Sequence, residues 1–176
     1  EYGILNIGGS ADISARIKGQ YADSTLLPIV NADIKLKKVR LQTKEYPEIK
    51  TLNLSAQITN GEKTDMSKAR FNIRKFEMKT TESTVQLEGS VIGIENPQYN
   101  ISSFLDINLG EFKNYIPDSL AQNLQGNITA SIKTSGVLPE IIPDDFVDDV
   151  LDKTTLSLNF NGLSGMLLDS LQIDNF

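Results

Sequence analysis

Five aspartates between residues 144 and 152 (Asp144, Asp145, Asp148, Asp149 and Asp152) form the densest group of potential metal ligands in the chain. A hard cation such as calcium takes clustered carboxylates, but it needs their oxygens to converge on one point. The segment 143–152 (PDDFVDDVLD) instead predicts a short helix. Pro143 suits a first helical position, and Phe146, Val147, Val150 and Leu151 share one face. The aspartates then spread along the opposite face, favoured near the start by the helix dipole. A solvated acidic face is therefore preferred to a metal site. A second charged group, Lys35, Lys37, Lys38, Arg40 and Lys44, lies along one extended run. Such a run attracts anionic headgroups or phosphates, or it keeps a surface strand soluble. With Glu45, Glu48 and Glu62 close in sequence to offset the field, solubility is the preferred reading.

Nucleophilic catalysis has little to draw on. The chain has no histidine and no cysteine, so the commonest general base, the commonest transition-metal ligand and thiolate chemistry are all missing. Ser67-Lys68 has no third group to orient it, and Gly8-Gly9 is a lone pair that predicts a turn rather than a phosphate loop. The reading is a non-enzyme without a cofactor. A formal charge of −6 also argues against nucleic acid as a partner, since it opposes the attraction that phosphates require.

The elements that would carry any function are strands. Period-two alternation recurs along the chain. Residues 11–18 place Ala11, Ile13, Ala15 and Ile17 on one face, and residues 51–60 do the same with Leu52, Leu54, Ala56 and Ile58. Val85, Leu87, Gly89 and Val91 follow, then Ile101, Ser103, Leu105, Ile107 and Leu109, then Leu124, Gly126, Ile128, Ala130 and Ile132, then Leu156, Leu158 and Phe160. The intervening residues are mainly polar, which predicts a one-sided antiparallel sheet. Asn60-Gly61, Asn96-Pro97 and Asn161-Gly162 punctuate the runs.

Two segments share a further template. In 34–41 (IKLKKVRL) and 71–78 (FNIRKFEM), Ile34, Leu36, Val39 and Leu41 correspond to Phe71, Ile73, Phe76 and Met78. The doubled polar steps Lys37-Lys38 and Arg74-Lys75 shift the alternation by one residue, as a β-bulge does. Residues 158–163 repeat most of the template with Asn161-Gly162 at the doubled step, and 11–18 (ADISARIK) echoes 126–133 (GNITASIK). The expected fold is all-β with minor helix: a long, antiparallel, curved and twisted sheet with bulged strands and internal β repeats. It forms a single β-rich segment with repeat-like units near 1–60, 61–124 and 125–176. Besides the helix around 143–152, one helical turn is expected at 111–115, ended by Pro117, and a short helix at 117–124.

The stretch 68–136 carries a likeness. ARFNIRKFEMKTTESTVQLEGSVIGIENPQYNISSFLDINLGEFKNYIP followed by QGNITASIKTSG resembles the C-terminal region of AsmA-like proteins, in particular the versions of Bacteroidetes-type bacteria. The shared features are a bulged strand, a strand ending in a glycine-containing turn (Val85-Gln86-Leu87-Glu88-Gly89-Ser90), a strand opening after Asn96-Pro97, and a strand beginning Gly126-x-Ile128-x-Ala130. The resemblance implies a periplasmic, cell-envelope protein anchored in the inner membrane by a segment outside this chain. It implies an apolar groove that carries phospholipid or another acyl lipid between membranes, and a part in outer membrane biogenesis. The groove candidates are Leu52, Leu54, Ile58, Phe71, Ile73, Val85, Leu87, Ile101, Leu105, Ile107, Ile128 and Ile132. The chain opens Glu1-Tyr2-Gly3 without a methionine, as a processed product would, so an anchor or export signal is expected upstream. From alternation alone these apolar faces serve equally as a packed core, which makes a non-catalytic structural or interaction module the alternative.

Overall fold

The alternating runs become nine strands in a computed structural model that describes residues 3–19, 28–44, 46–61, 68–94, 96–116, 121–138, 146–167 and 171–173. They are β1 (Ile4–Lys18), β2 (Ile29–Thr43), β3 (Ile49–Thr59), β4 (Arg70–Lys79), β5 (Thr84–Ile92), β6 (Gln98–Asn108), β7 (Ala121–Val137), β8 (Thr154–Leu167) and β9 (Leu171–Ile173). Two short helices, α1 (Leu109–Phe112) and α2 (Phe146–Asp152), interrupt them. Strand order in the sheet is the order in the chain, and every pair is antiparallel. The result is one open, curled sheet. The long strands follow from the long alternating runs, and most of the connections are too short for the crossover that a parallel pair needs.

No second layer packs on the sheet among the described residues: the strands pack mainly on their sequence neighbours, and the helices on β7. The accessible surface is 12384 Å², against about 8,500 Å² for a compact monomer of this mass. No described side chain is completely buried, and the apolar residues closest to it are mostly small: Ala56, Ala69, Tyr99, Leu124 and Ala130. Ala56 lies between Ile34 and Ile73, and Ala130 between Leu105 and Leu158. A methyl group flanked by large side chains is shielded without any covering layer. Tyr99 is shielded by lying across Gly136, where an added Cβ would sit 2.9 Å from its hydroxyl.

All three doubled polar steps are bulges. The register shifts at Leu36/Val39, at Ile73/Phe76 and opposite Gln125/Asn127. The first and third are the same device. Gly9 (φ 119°) faces Lys38 and Val39 just as Gly126 (φ 104°) faces Gly162 and Leu163. Lys38 (φ 50°) and Gly162 (φ 62°) occupy the same left-handed place in the template. The lysine is held there partly because its backbone N–H donates to Asn53 Oδ1 at 2.9 Å. A left-handed conformation costs an L-residue about 1–2 kcal/mol, and a new glycine gives back about 0.4–1 kcal/mol through the unfolded chain. Lys38→Gly should therefore raise stability by about 0.5 kcal/mol in urea denaturation. A clear loss would show that the lysine side chain, and not its backbone, holds the bulge.

Several local expectations give way to tertiary pairing. Gly8-Gly9 is not a turn but part of β1, where Gly9 answers the β2 bulge. The helix expected at 117–124 is overturned for 121–124, which belong to β7 and pair with β8; residues 117–120 lie outside the described residues. The turn expected at 111–115 starts two residues earlier, as α1, and continues as a non-helical turn. Helix α2 is described from Phe146, so Asp144 and Asp145 lie outside the described residues. The echo between 11–18 and 126–133 joins the correct faces but is two residues out of step, since Gly9 and not Ala11 matches Gly126.

Candidate functional site

Cross-strand register turns the separate alternations into one surface. Ile13, Ile34, Ala56, Ile73, Gly89, Ile101, Thr134 and Thr154 stand opposite one another across eight strands. Beside this row runs Leu36, Leu54, Phe76, Leu87, Ser103, Ile132 and Leu156, and beyond it Val39, Leu52, Met78, Val85, Leu105, Ala130 and Leu158. The bulges in β2 and β4 keep Val39 and Phe76 on this face, although the count of residues alone would turn them away. All twelve residues singled out as groove candidates lie on it by register. Ile58 and Phe71 are 39% and 41% exposed, and the other ten are half-buried by lateral neighbours.

The face spans about 34 Å across eight strands and about 27 Å along them, from the usual strand spacing and rise. Its area, roughly 900 Å², exceeds the largest apolar patch of a typical soluble monomer, roughly 300–600 Å². Its polar interruptions within these rows are Ser103, Thr134 and Thr154. Thr134 contributes a buried hydroxyl that has no hydrogen-bond partner.

The opposite face is polar and tied by charge. Glu77 accepts from Lys79 (3.0 Å), Lys75 (3.1 Å) and Asn53 (3.3 Å). The Lys79 and Lys75 ammonium groups, with Asn53, hold its carboxyl at a pKa of about 2. Arg74 donates to Gln57 at 2.6 Å and sits 3.9 Å from Asp33. In the basic run of β2, Lys37 pairs with Asp12 at 3.3 Å, both largely exposed. A hollow of about 410 Å³ on this side is bordered by Arg74, Lys75, Gln86, Glu88, Ser102 and Phe104. Phe104 departs from the alternation, an aromatic ring on the polar face opposite Gln86 and Ser131, as Ile92 and Val137 do at the end of the sheet.

One polar cluster at a sheet end escaped the sequence reading. Glu111 on α1 accepts from Thr80 Oγ1 (2.6 Å), Ser83 Oγ (2.7 Å) and the Thr81 backbone N–H (2.8 Å), clasping the β4–β5 turn. Ser83 is buried and accepts in turn from the Asn108 N–H. Burial alone would raise the Glu111 pKa, but these hydrogen bonds outweigh it and the carboxyl sits below its ordinary value. A depressed carboxylate contributes stability that is complete above the unfolded pKa and is lost as pH falls through the folded one. Glu111→Ala should cost about 2 kcal/mol at neutral pH. The deficit against the parent should shrink in melts below about pH 4, where the unfolded carboxylate is already protonated. A deficit constant from pH 7 to pH 3 would mean that the side chain acts by packing alone. Only its spacing from the Thr80–Ser83 turn, 28–31 residues away, could have revealed this clasp, and no local pattern encodes that.

Among the described residues no three His, Cys, Asp or Glu side chains are grouped to hold a metal ion, and no helix is long and apolar enough to cross a membrane. No family model, curated protein or solved structure matches the chain.

Proposed function

We propose that the continuous apolar face binds acyl chains, and that the chain is a non-catalytic, lipid-handling segment of a bacterial cell-envelope protein. The single observation behind this reading is an apolar surface that crosses eight strands with no layer over it among the described residues. A packed structural module would have buried that surface. An acyl chain laid on it gains about 0.8 kcal/mol per methylene removed from water. Because the rows repeat from strand to strand, that gain is similar at each step, and a chain can shift along the face without a deep trap. The polar opposite face keeps the sheet in water. The resemblance to AsmA-like proteins adds the periplasmic setting, an inner-membrane anchor outside this chain, and phospholipid as the cargo.

In-cell photocrosslinking tests the proposal. A photoreactive residue replaces Ile73 or Leu105 on the apolar face, and Asn72 or Gln86 on the polar face, in the protein as the cell makes it. Phospholipid captured from the first pair and not the second is the expected result. Crosslinks from Ile73 and Leu105 only to protein would favour a packed or partner-covered module and sink the lipid reading.

A further inference from the structure

We propose that the polar face carries a binding trough for a neutral saccharide chain, with the exposed ring of Phe104 as its stacking platform. This is a second site, on the side of the sheet opposite the apolar face, and it does not rest on acyl-chain binding.

The trough lies in the middle of the sheet. The hollow of about 410 Å³ beside Phe104 adjoins a second of about 250 Å³, and Arg74, Glu88 and Ser102 border both. Asn72, Ser90 and Asn100 line the second hollow further. From Phe104 to Asn100 the trough follows β6 for about 14 Å at the usual strand rise, long enough for a short oligosaccharide. Phe104 is 39% exposed. Toward β8 its cross-strand neighbours are Ser131 and then Ser157, side chains too short to cover an aromatic ring.

The side chains along the trough are of one chemical kind. Register sets Gln57, Asn72, Ser90, Asn100 and Ser135 opposite one another from β3 to β7. Asparagine is depleted from strands, and threonine would keep this face wet without that cost. A breach of local preference at positions the fold leaves uncovered points to a ligand. Carboxamides and hydroxyls offer both donors and acceptors, which is what the hydroxyls of a sugar require.

Charge separates the competing ligand classes. Lys75 pairs with Glu77, and Arg74 is engaged by Gln57 and Asp33. Glu88 and Lys133 flank Ser102 with opposite signs. These charges offset one another, so neither an anion nor an amine is strongly selected. Peptides are held by strand edges or apolar grooves, and this trough is on a polar face away from either. An uncharged ring with hydroxyls at its rim fits, its C–H side meeting the negative face of the Phe104 π-system.

The test follows amide and ring NMR signals of the whole chain during separate titrations with cellohexaose, mannohexaose and laminarihexaose. These are neutral hexose chains that differ in sugar or linkage. Shifts at Phe104, Ser102 and Ser131 with at least one of them are the expected result. Phe104→Ala should weaken that binding about tenfold, and Phe104→Trp should preserve it. Ser131→Gln, which sets a longer side chain beside the ring, should weaken it as well. Tyr46→Ala removes a ring that is 61% exposed in the β2–β3 connection, and should change nothing. Absence of shifts with all three sugars overturns the proposal. So does binding that survives both Phe104→Ala and Ser131→Gln, or that Tyr46→Ala weakens equally.

Discussion

Gly126→Ala should lower the unfolding free energy by about 3 kcal/mol, enough to threaten a domain of ordinary stability. Two independent costs combine. The residue sits at φ 104°, where an L side chain is strained. An added Cβ would also lie 2.5 Å from the Gly162 carbonyl oxygen and 2.7 Å from Leu163 Cα, both backbone atoms that cannot swing aside. Gly162→Ala meets nothing within 4 Å and pays only for its φ of 62°, about 1 kcal/mol. Gly8→Ala has open space and an ordinary φ, and should change stability by less than about 0.5 kcal/mol. Urea denaturation of the three variants should rank them in that order. If Gly126→Ala behaved like Gly8→Ala, the bulge would not fix the β7–β8 register, and the equivalence with β1–β2 would fail with it.

Placing a carboxylate on the apolar face should separate stability from lipid capture. Ile73 is at the centre of the first apolar row, between Ala56 and Gly89, and its side chain is half-buried. In a closed core Ile73→Asp would bury an unpaired charge and cost well over 3 kcal/mol. On a face that water already reaches, the expected cost is about 1–2 kcal/mol. Acyl-chain capture should fall at least about tenfold, because the contact of roughly two methylenes is lost and a charge must be desolvated when a chain passes. Asn72→Asp, on the opposite face, should leave both nearly unchanged. Paired measurements of urea midpoint and lipid crosslinking yield check this. Severe unfolding by Ile73→Asp would mean that the face is covered, whereas full stability with unchanged capture would move the lipid site elsewhere.

The basis of these two effects was unequally visible in the sequence. Ile73 and its eleven companions could be assigned to one face from alternation plus the doubled polar steps, because side-chain direction in a strand has a strict period of two. The bulges at Lys37-Lys38 and Arg74-Lys75 could be read in the same way, since a phase shift in the pattern has few other causes. Gly126 could not. Its role depends on Gly162 and Leu163 being brought against it from across the β7–β8 pair, and the sequence echo set it against Ala11 instead of Gly9. Glu111 was equally hidden, because its partners are 28–31 residues away.

The all-β class, the lengths of the alternating runs and the apolar identity of one face are local properties of the chain, since each depends on backbone periodicity and on the free energy of hydrating side chains. The helix expected at 117–124 shows where local determination ends: a stretch of weak local preference became strand, at least from Ala121, because β8 offered it a ladder. Whether the apolar face is a core or a surface is a matter of how the strands assemble. Alternation specifies that a face avoids water but not what covers it, and among the described residues no second layer is folded over it. That choice is made by the number and order of strands, and by how sheet edges and connections place one element against another. These are long-range pairings with no short-range signature.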